Sequence, residues 1–379
     1  MNKKPDAFKL PVIILFVLFF TVSGSAQKYY LFIGTYTNTT SKGIYIYDFD
    51  SHTGEAKWLW NTDSVTNPSY LTISKDHKYV YAVNEISGPN TGRVTAYSFD
   101  KKKPSLKFLN TTASGGDAPC HLETTSDNKW LTVANYTSGT TTVFPINEDG
   151  SVNPYSQWIN DDIYKAPGEI ATPHAHQTVF SPDEKYLLTP DLGLDKVIVY
   201  QFDQSIEKPL LLTSQSFANS PKGTGPRHLI FSKNKKMVYL VHEMGGSVTA
   251  FDYNDGKLKQ LQDLATAPKG FSGAIDGAEI KISPDGKFLY ASYRGDLNEI
   301  VIFSINPATG RLSLKGRQST FGLHPRDFVI DPSGNYLLAA NQDSENIVIF
   351  KRNKKTGLLV NTGKQIHIPR PVCLQMIPK

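Results

Sequence analysis

The chain has 379 residues, with 40 Lys plus Arg against 35 Asp plus Glu, a formal charge of +5, 39% hydrophobic residues and only two cysteines. Those proportions fit a globular protein with a large core and exclude a disulfide scaffold and a low-complexity chain. No basic run is longer than three residues, so nothing supports nucleic-acid binding.

In chain order, the first element is a targeting segment. Lys3, Lys4 and Lys9 precede an apolar block from Pro11 to Val22, which ends in the small residues Ser23, Gly24, Ser25 and Ala26. The block is too short for a membrane span of about 20 residues and reads as a signal peptide cleaved before Gln27. No cysteine follows it to carry a lipid anchor. Residues 1–26 are therefore expected to be removed, leaving one domain over 27–379 that is exported to the periplasm or beyond and is not held in a membrane. Cleavage takes away three lysines and one aspartate, which lowers +5 to +3.

After Gln27 come three strand-like stretches, KYYLFIGTYT, GIYIYDFD and EAKWLWN. A repeat then begins: an apolar run, a turn of the form S-x-D-x, a second run, an alternating third strand and a fourth. Its turn position falls at Asp76, Asp127, Asp183, Asn234, Asp285 and Ser333, and the chain ends after the first strand of a seventh copy. A period of about 50 residues with four strands each is that of propeller blades. The expected fold is all-β, a seven-bladed β-propeller whose last blade joins the C-terminal strand to the three N-terminal ones. A two-sheet sandwich does not explain a repeat split between the termini.

The open ends of the innermost hairpins, about eight residues either side of each turn, then define two rings around one mouth of the channel. Residues symmetric about each turn should face each other: Ser69 with Glu85, Cys120 with Tyr136, His176 with Leu192, Arg227 with Glu243, Ala278 with Arg294, and Arg326 with Gln342. Arg227 stands directly ahead of Leu229, Ile230 and Phe231, where a charge is costly unless partnered, and Glu243 supplies the partner. His176, Arg227, Glu243 and Arg294 should converge in one sector, with His174, His228, Arg326, Gln342, Glu85 and Tyr136 as further lining. A polar mouth on an apolar channel is a ligand site. As mouth residues, Arg227, Glu243 and Arg294 are expected to tolerate truncation without loss of the fold.

The ordered set PHAHQTVFSPD, the DLG at Asp191, GPRHLIF, the Glu243 segment, SYRG at Ser292 and HPRDFVIDPSGNYLLAANQ resembles the seven-bladed propeller lactonases, which include propeller 6-phosphogluconolactonases and fungal carboxymuconate cycloisomerases. The resemblance spans essentially the whole mature chain. It implies an enzyme acting on a small-molecule lactone, with a catalytic set of one His, two Arg and one Glu that falls on His174 or His176, Arg227, Arg294 and Glu243. Lactone opening needs an activated water, a stabilised oxyanion and a proton for the alkoxide, and these residue types can supply all three. Which group is acid and which is base stays open. The alternatives are a lactonising or isomerising enzyme of the muconate type and a non-catalytic propeller that binds a sugar or a protein.

Neither a cofactor nor a metal is expected: His174-Ala-His176 has metal-pair spacing, but the rings add only scattered carboxylates. No G-x-S-x-G elbow marks a serine hydrolase. Asp191, Asp195 and Asp276 read as turn residues. Cys120 and Cys373 belong to blades separated by another and should not bond. The enzyme is expected to work as a monomer or weak dimer.

Overall fold

In the computed structural model, Met1 and residues 27–379 are described, with the side chains of residues 214–216 left aside. The segment expected to act as a signal peptide lies, except for Met1, outside the described residues. Twenty-eight strands form seven four-stranded antiparallel sheets, and the only helical element among the described residues is one 3-10 turn, Asp161–Tyr164. Blades 1 to 6 run consecutively from Leu71–Ile73 to Leu359–His367, as the repeat predicts. Blade 7 takes its innermost strand, Pro371–Pro378, from the C-terminus and its other three, Lys28–Thr35, Tyr45–Asp50 and Glu55–Asn61, from the N-terminus. The two ends of the chain thus close the ring.

The repeated turn is built by local chemistry. In successive blades the serine or threonine hydroxyl donates to the acid or amide two residues on, at 2.6–2.7 Å for Ser74–Asp76, Thr125–Asp127, Ser181–Asp183, Ser232–Asn234 and Ser283–Asp285. The same oxygen accepts the first N–H of the next strand, as in Tyr79 to Ser74. One residue further on, the backbone turns left-handed, at φ 59° for His77, 63° for Lys235 and 72° for Gly286. Strands leaving these turns bury alternating Val, Leu, Ile and Tyr between neighbouring sheets, where they pack into apolar clusters, one of which runs from blade 7 through blade 1 into blade 2.

At the channel mouth the pairing differs from simple symmetry. Pro226 faces His242 and His228 faces Val241, so Arg227 is the extra residue of a bulge, and the Glu243 N–H bonds to Gly225 O, not to Arg227. The same shift recurs. Tyr136 N–H reaches Ala118 O, Leu192 reaches His174, Gln342 reaches His324, and Arg294 pairs with Asp276. Each outer-ring residue therefore lies opposite a position two before its expected partner. The residue two before the ring position is left-handed in several blades, at φ 40° in Asn67, 59° in Gly225 and 61° in His324. Such bulges twist the strand and re-aim the following side chain, which is how Arg227 still meets Glu243.

Innermost strands are sheet edges, and their channel-side N–H groups need partners. In several blades the residue after the ring position supplies one across the blade boundary: Gln177 Oε1 accepts Leu229 N–H at 2.7 Å, Asp327 Oδ2 accepts Leu374 N–H at 2.6 Å, and Cys373 Sγ accepts Leu71 N–H at 3.3 Å. Cys120 and Cys373 are free, buried thiols with these separate surroundings.

Candidate active site

The predicted sector assembles around the Glu243 carboxylate. Arg227 Nε donates to its Oε2 at 2.8 Å, Arg294 Nη2 lies 3.0 Å from Oε1, and His176 Nε2 stands 3.8 Å from Oε2. The guanidiniums are themselves fixed from behind, Arg227 Nη1 by Ala278 O at 2.5 Å and Arg294 Nη2 by Gly277 O at 3.2 Å. These carbonyls belong to the neighbouring strand's bulge. The Glu243 side chain is 22% exposed, whereas that of Arg227 is 2% exposed. One expectation is corrected here: Arg227 and Arg294 are buried, so truncating either removes one of the two guanidiniums on Glu243, leaves a void and does not spare stability.

Electrostatics fix the charge states. Burial alone would raise the Glu243 pKa, but Arg227, Arg294 and Arg326 outweigh it and hold the carboxyl below its ordinary range. His176 is pushed well below its ordinary value by burial first and then by Arg227, His228 and the other arginines. At neutral pH the sector is therefore an ionised carboxylate, a neutral imidazole and fixed guanidiniums.

Across the mouth is a second constellation. Arg326 Nη2 lies 3.7 Å from Glu85 Oε2, Tyr36 Oη donates to Glu85 at 2.9 Å, and the Arg326 guanidinium sits 5.3 Å above the Tyr36 ring. Tyr36 escaped the sequence reading although Tyr36 N–H bonds to Arg370 O, the same relation Glu85, Tyr136 and Glu243 have in their blades. It is the outer-ring residue of blade 7, and carrying the repeat into the N-terminal half-blade would have found it. His324 was missed too. Its Nε2 accepts from Arg294 Nη1 at 3.3 Å, and its Nδ1 lies 3.5 Å from Asp343 Oδ2; burial and then Arg294 press its pKa down to about 4.

Tyr136 lines the mouth with both candidate histidines on its ring. His174 stacks on it at 4.6 Å and His176 meets it edge-on at 5.4 Å. His174 Nδ1 donates to Tyr136 O at 3.0 Å, so Nε2 is the nitrogen turned away from that bond. Two predicted lining residues lie elsewhere. His228 is buried one layer deeper, its Nδ1 3.1 Å from Glu279 Oε2, because it follows the bulge and not the ring position. Gln342 is turned to Asp343, donating at 3.0 Å. Asp191 serves its turn as expected, accepting Leu194 N–H, and in addition it is wholly buried and accepts the backbone N–H of His174. Among the described residues no three His, Cys, Asp or Glu side chains are gathered as a metal cluster. A roomier cleft of about 1160 Å³ lies on the outside, lined by Ile163, Lys165, Ile170, Leu212 and Phe217, and contains none of Arg227, Glu243 or Arg294.

A seven-bladed propeller with a carboxylate clamped between arginines at its channel mouth has the groups to handle water and a developing oxyanion, and similarity to known proteins gives its class. The family model described as Lactonase, 7-bladed beta-propeller matches residues 30–376, and the chain belongs to that family. It is 37% identical to a 6-phosphogluconolactonase of Formosa agariphila over 91% of this chain and 99% of that protein. It is 34% identical to a 6-phosphogluconolactonase of Bacillus subtilis over 92% and 99%. Among solved structures, the Pseudomonas aeruginosa periplasmic gluconolactonase PpgL superposes with a TM-score of 0.87 at 35% identity, covering 92% of this chain and 99% of that one. The protein is thus a lactonase, a hydrolase of cyclic esters.

Proposed function

We propose that this lactonase opens a sugar δ-lactone of the 6-phosphogluconolactone type at the propeller mouth, and does so outside the cytoplasm. The observation that carries the site is the partly exposed Glu243 carboxylate backed by two buried arginines, with His176 beside it. Glu243 orients the attacking water and takes up its proton as the hydroxyl adds to the carbonyl carbon. Arg294, facing the same opening, stabilises the oxyanion that develops, since a fixed guanidinium in a water-poor site needs no reorganisation. Collapse of the tetrahedral adduct breaks the ring C–O bond, and the proton returns to the departing alkoxide to give the open hydroxy-acid. Arg326, Glu85 and Tyr36 across the mouth bind the remainder of the sugar, with Arg326 available to an anionic substituent.

Two features support export. One is the basic, apolar and small-residue order of residues 1–26, and the other is the periplasmic relative at 35% identity. The test of function is the initial rate of proton release from 6-phosphoglucono-δ-lactone, glucono-δ-lactone and a muconolactone, each corrected for spontaneous opening. Turnover of the sugar lactones above that of the muconolactone is expected. Turnover of the muconolactone alone would overturn the substrate reading.

A further inference from the structure

The two mouth histidines hang on one connection, the segment from Asp161 to Thr178 between blades 2 and 3, which is far longer than the other interblade links. Its root is tied to blade 3 by two aspartates that are both wholly buried, Asp161 and Asp191. Asp191 is rich in donors: Oδ1 accepts Leu194 N–H at 2.8 Å, and both oxygens lie 3.0 Å from His174 N. Asp161 is poor in them. Its Oδ1 accepts from Tyr200 Oη at 3.1 Å, while its Oδ2 meets no N–H or O–H donor. The group within hydrogen-bonding reach of Asp161 is the Asp191 carboxyl.

Two ionised carboxylates are acceptors only and cannot hydrogen-bond to each other, so a contact of this kind in a dry site requires a proton between them. We propose that Asp161 and Asp191 share one proton, carried on Asp161, and that this pair is the anchor that holds His174 and His176 at the mouth. Asp161 is then a positioning residue, acting through Asp191 and the His174 backbone. The proton falls on Asp161 because Asp191, with its N–H donors, is the better-solvated anion. The other groups facing the pair agree with this. Tyr200 donates to Asp161, and Tyr164 packs against Tyr200. Asp162, next in the chain, adds a further negative charge. Lys196, opposite Asp191 in the hairpin, turns its ammonium away to Tyr164 O at 2.8 Å and Glu169 at 3.1 Å and does not neutralise the pair. Burial first, then the Asp191 charge, holds the Asp161 carboxyl well above the ordinary range.

The sign follows. A carboxyl whose folded pKa is raised keeps its full stabilising form only at low pH, and stability is lost as pH climbs from the ordinary carboxylate range to the folded pKa. Above that value two adjacent anions push the root of the connection apart. Asp161→Asn is permanently neutral, can donate from Nδ2 to Asp191 and can still accept from Tyr200. Asp161→Ala can do neither.

The experiment measures kcat/KM at neutral pH, and Tm from about pH 5 to 10, for the wild type and both variants. This inference rests on the lactonase reading only in its kinetic arm. Asp161→Asn should stay within about threefold of the wild type, whereas Asp161→Ala should lose about tenfold or more through misplacement of the histidines. The wild-type Tm should fall with rising pH relative to that of Asp161→Asn. Superimposable Tm curves for the wild type and Asp161→Asn would overturn the shared proton, since that measurement needs neither turnover nor a folded Ala variant. Diverging Tm curves with full activity in Asp161→Ala would overturn the positioning role. If the wild type opens no lactone, the functional reading fails, and the shared proton is still decided by the Tm curves.

Discussion

Replacing Glu243 by Gln keeps the shape of the clamp and removes its charge. The carboxylate accepts on both oxygens, from Arg227 Nε on Oε2 and Arg294 Nη2 on Oε1. An amide has one acceptor and one NH₂ donor, so in either orientation one guanidinium faces N–H groups. The loss of one charge-assisted hydrogen bond costs about 1.5–3 kcal/mol. It stays below the roughly 3–5 kcal/mol of a fully broken buried pair, because the arginines keep Ala278 O and Gly277 O and water reaches the mouth side of residue 243. The fold should therefore survive with a lowered Tm. Activity should not survive: without a base at the attacking water, kcat/KM should fall by about 10²- to 10⁴-fold. The assay is stopped-flow proton release from a sugar δ-lactone with thermal unfolding of the same sample. A variant with unchanged Tm and kcat/KM within about threefold of the wild type would refute both the clamp and its catalytic role.

Three further outcomes are expected. The acid limb of kcat/KM should lie below about pH 5, because Glu243 loses its charge only as pH falls through a folded value under the usual ~4.3 and His176 gains a proton only well under ~6.5; a limb centred between about 6 and 7 would contradict these charge states. Arg227→Ala should cost about 3 kcal/mol in denaturant unfolding as well as activity, since it removes one of the two guanidiniums paired with Glu243 and leaves a void where one of the largest fully buried side chains stood. Lys235→Gly should raise stability by about 0.5–1 kcal/mol, because Lys235 sits at φ 63° where Gly286 occupies the same turn position in the next blade; a lowered Tm would show that the left-handed turn carries no strain.

Periodicity made the architecture readable. A turn whose serine and aspartate must bond locally leaves its mark at the same place in every repeat, and a blade divided between the termini follows from counting. The four central site residues were readable because all occupy ring registers. Register was legible only to within two residues, since the bulge ahead of each ring position depends on how edge strands crowd around a channel, and local pattern does not record that crowding. The same error explains His228, whose place after the bulge sends it below the mouth to Glu279. Tyr36 and His324 were hidden differently. One stands in the half-blade where the repeat was not carried through, and the other reaches the site only because its φ of 61° turns the chain toward Arg294. Asp191 was readable as the turn residue it is, capping Leu194 N–H, but its burial partner, Asp161, comes from the one irregular interblade connection and leaves no mark in the local pattern.

The most direct measurement of the central claim is a crystal structure with the ring-opened product, 6-phosphogluconate, bound to the wild type. The account predicts the product carboxylate at the channel mouth, within about 3.2 Å of the Arg294 guanidinium and beside Glu243, with the sugar chain running toward Arg326 and Tyr36. Product held instead in the outer cleft between Ile163 and Phe217, with the mouth unchanged, would contradict it.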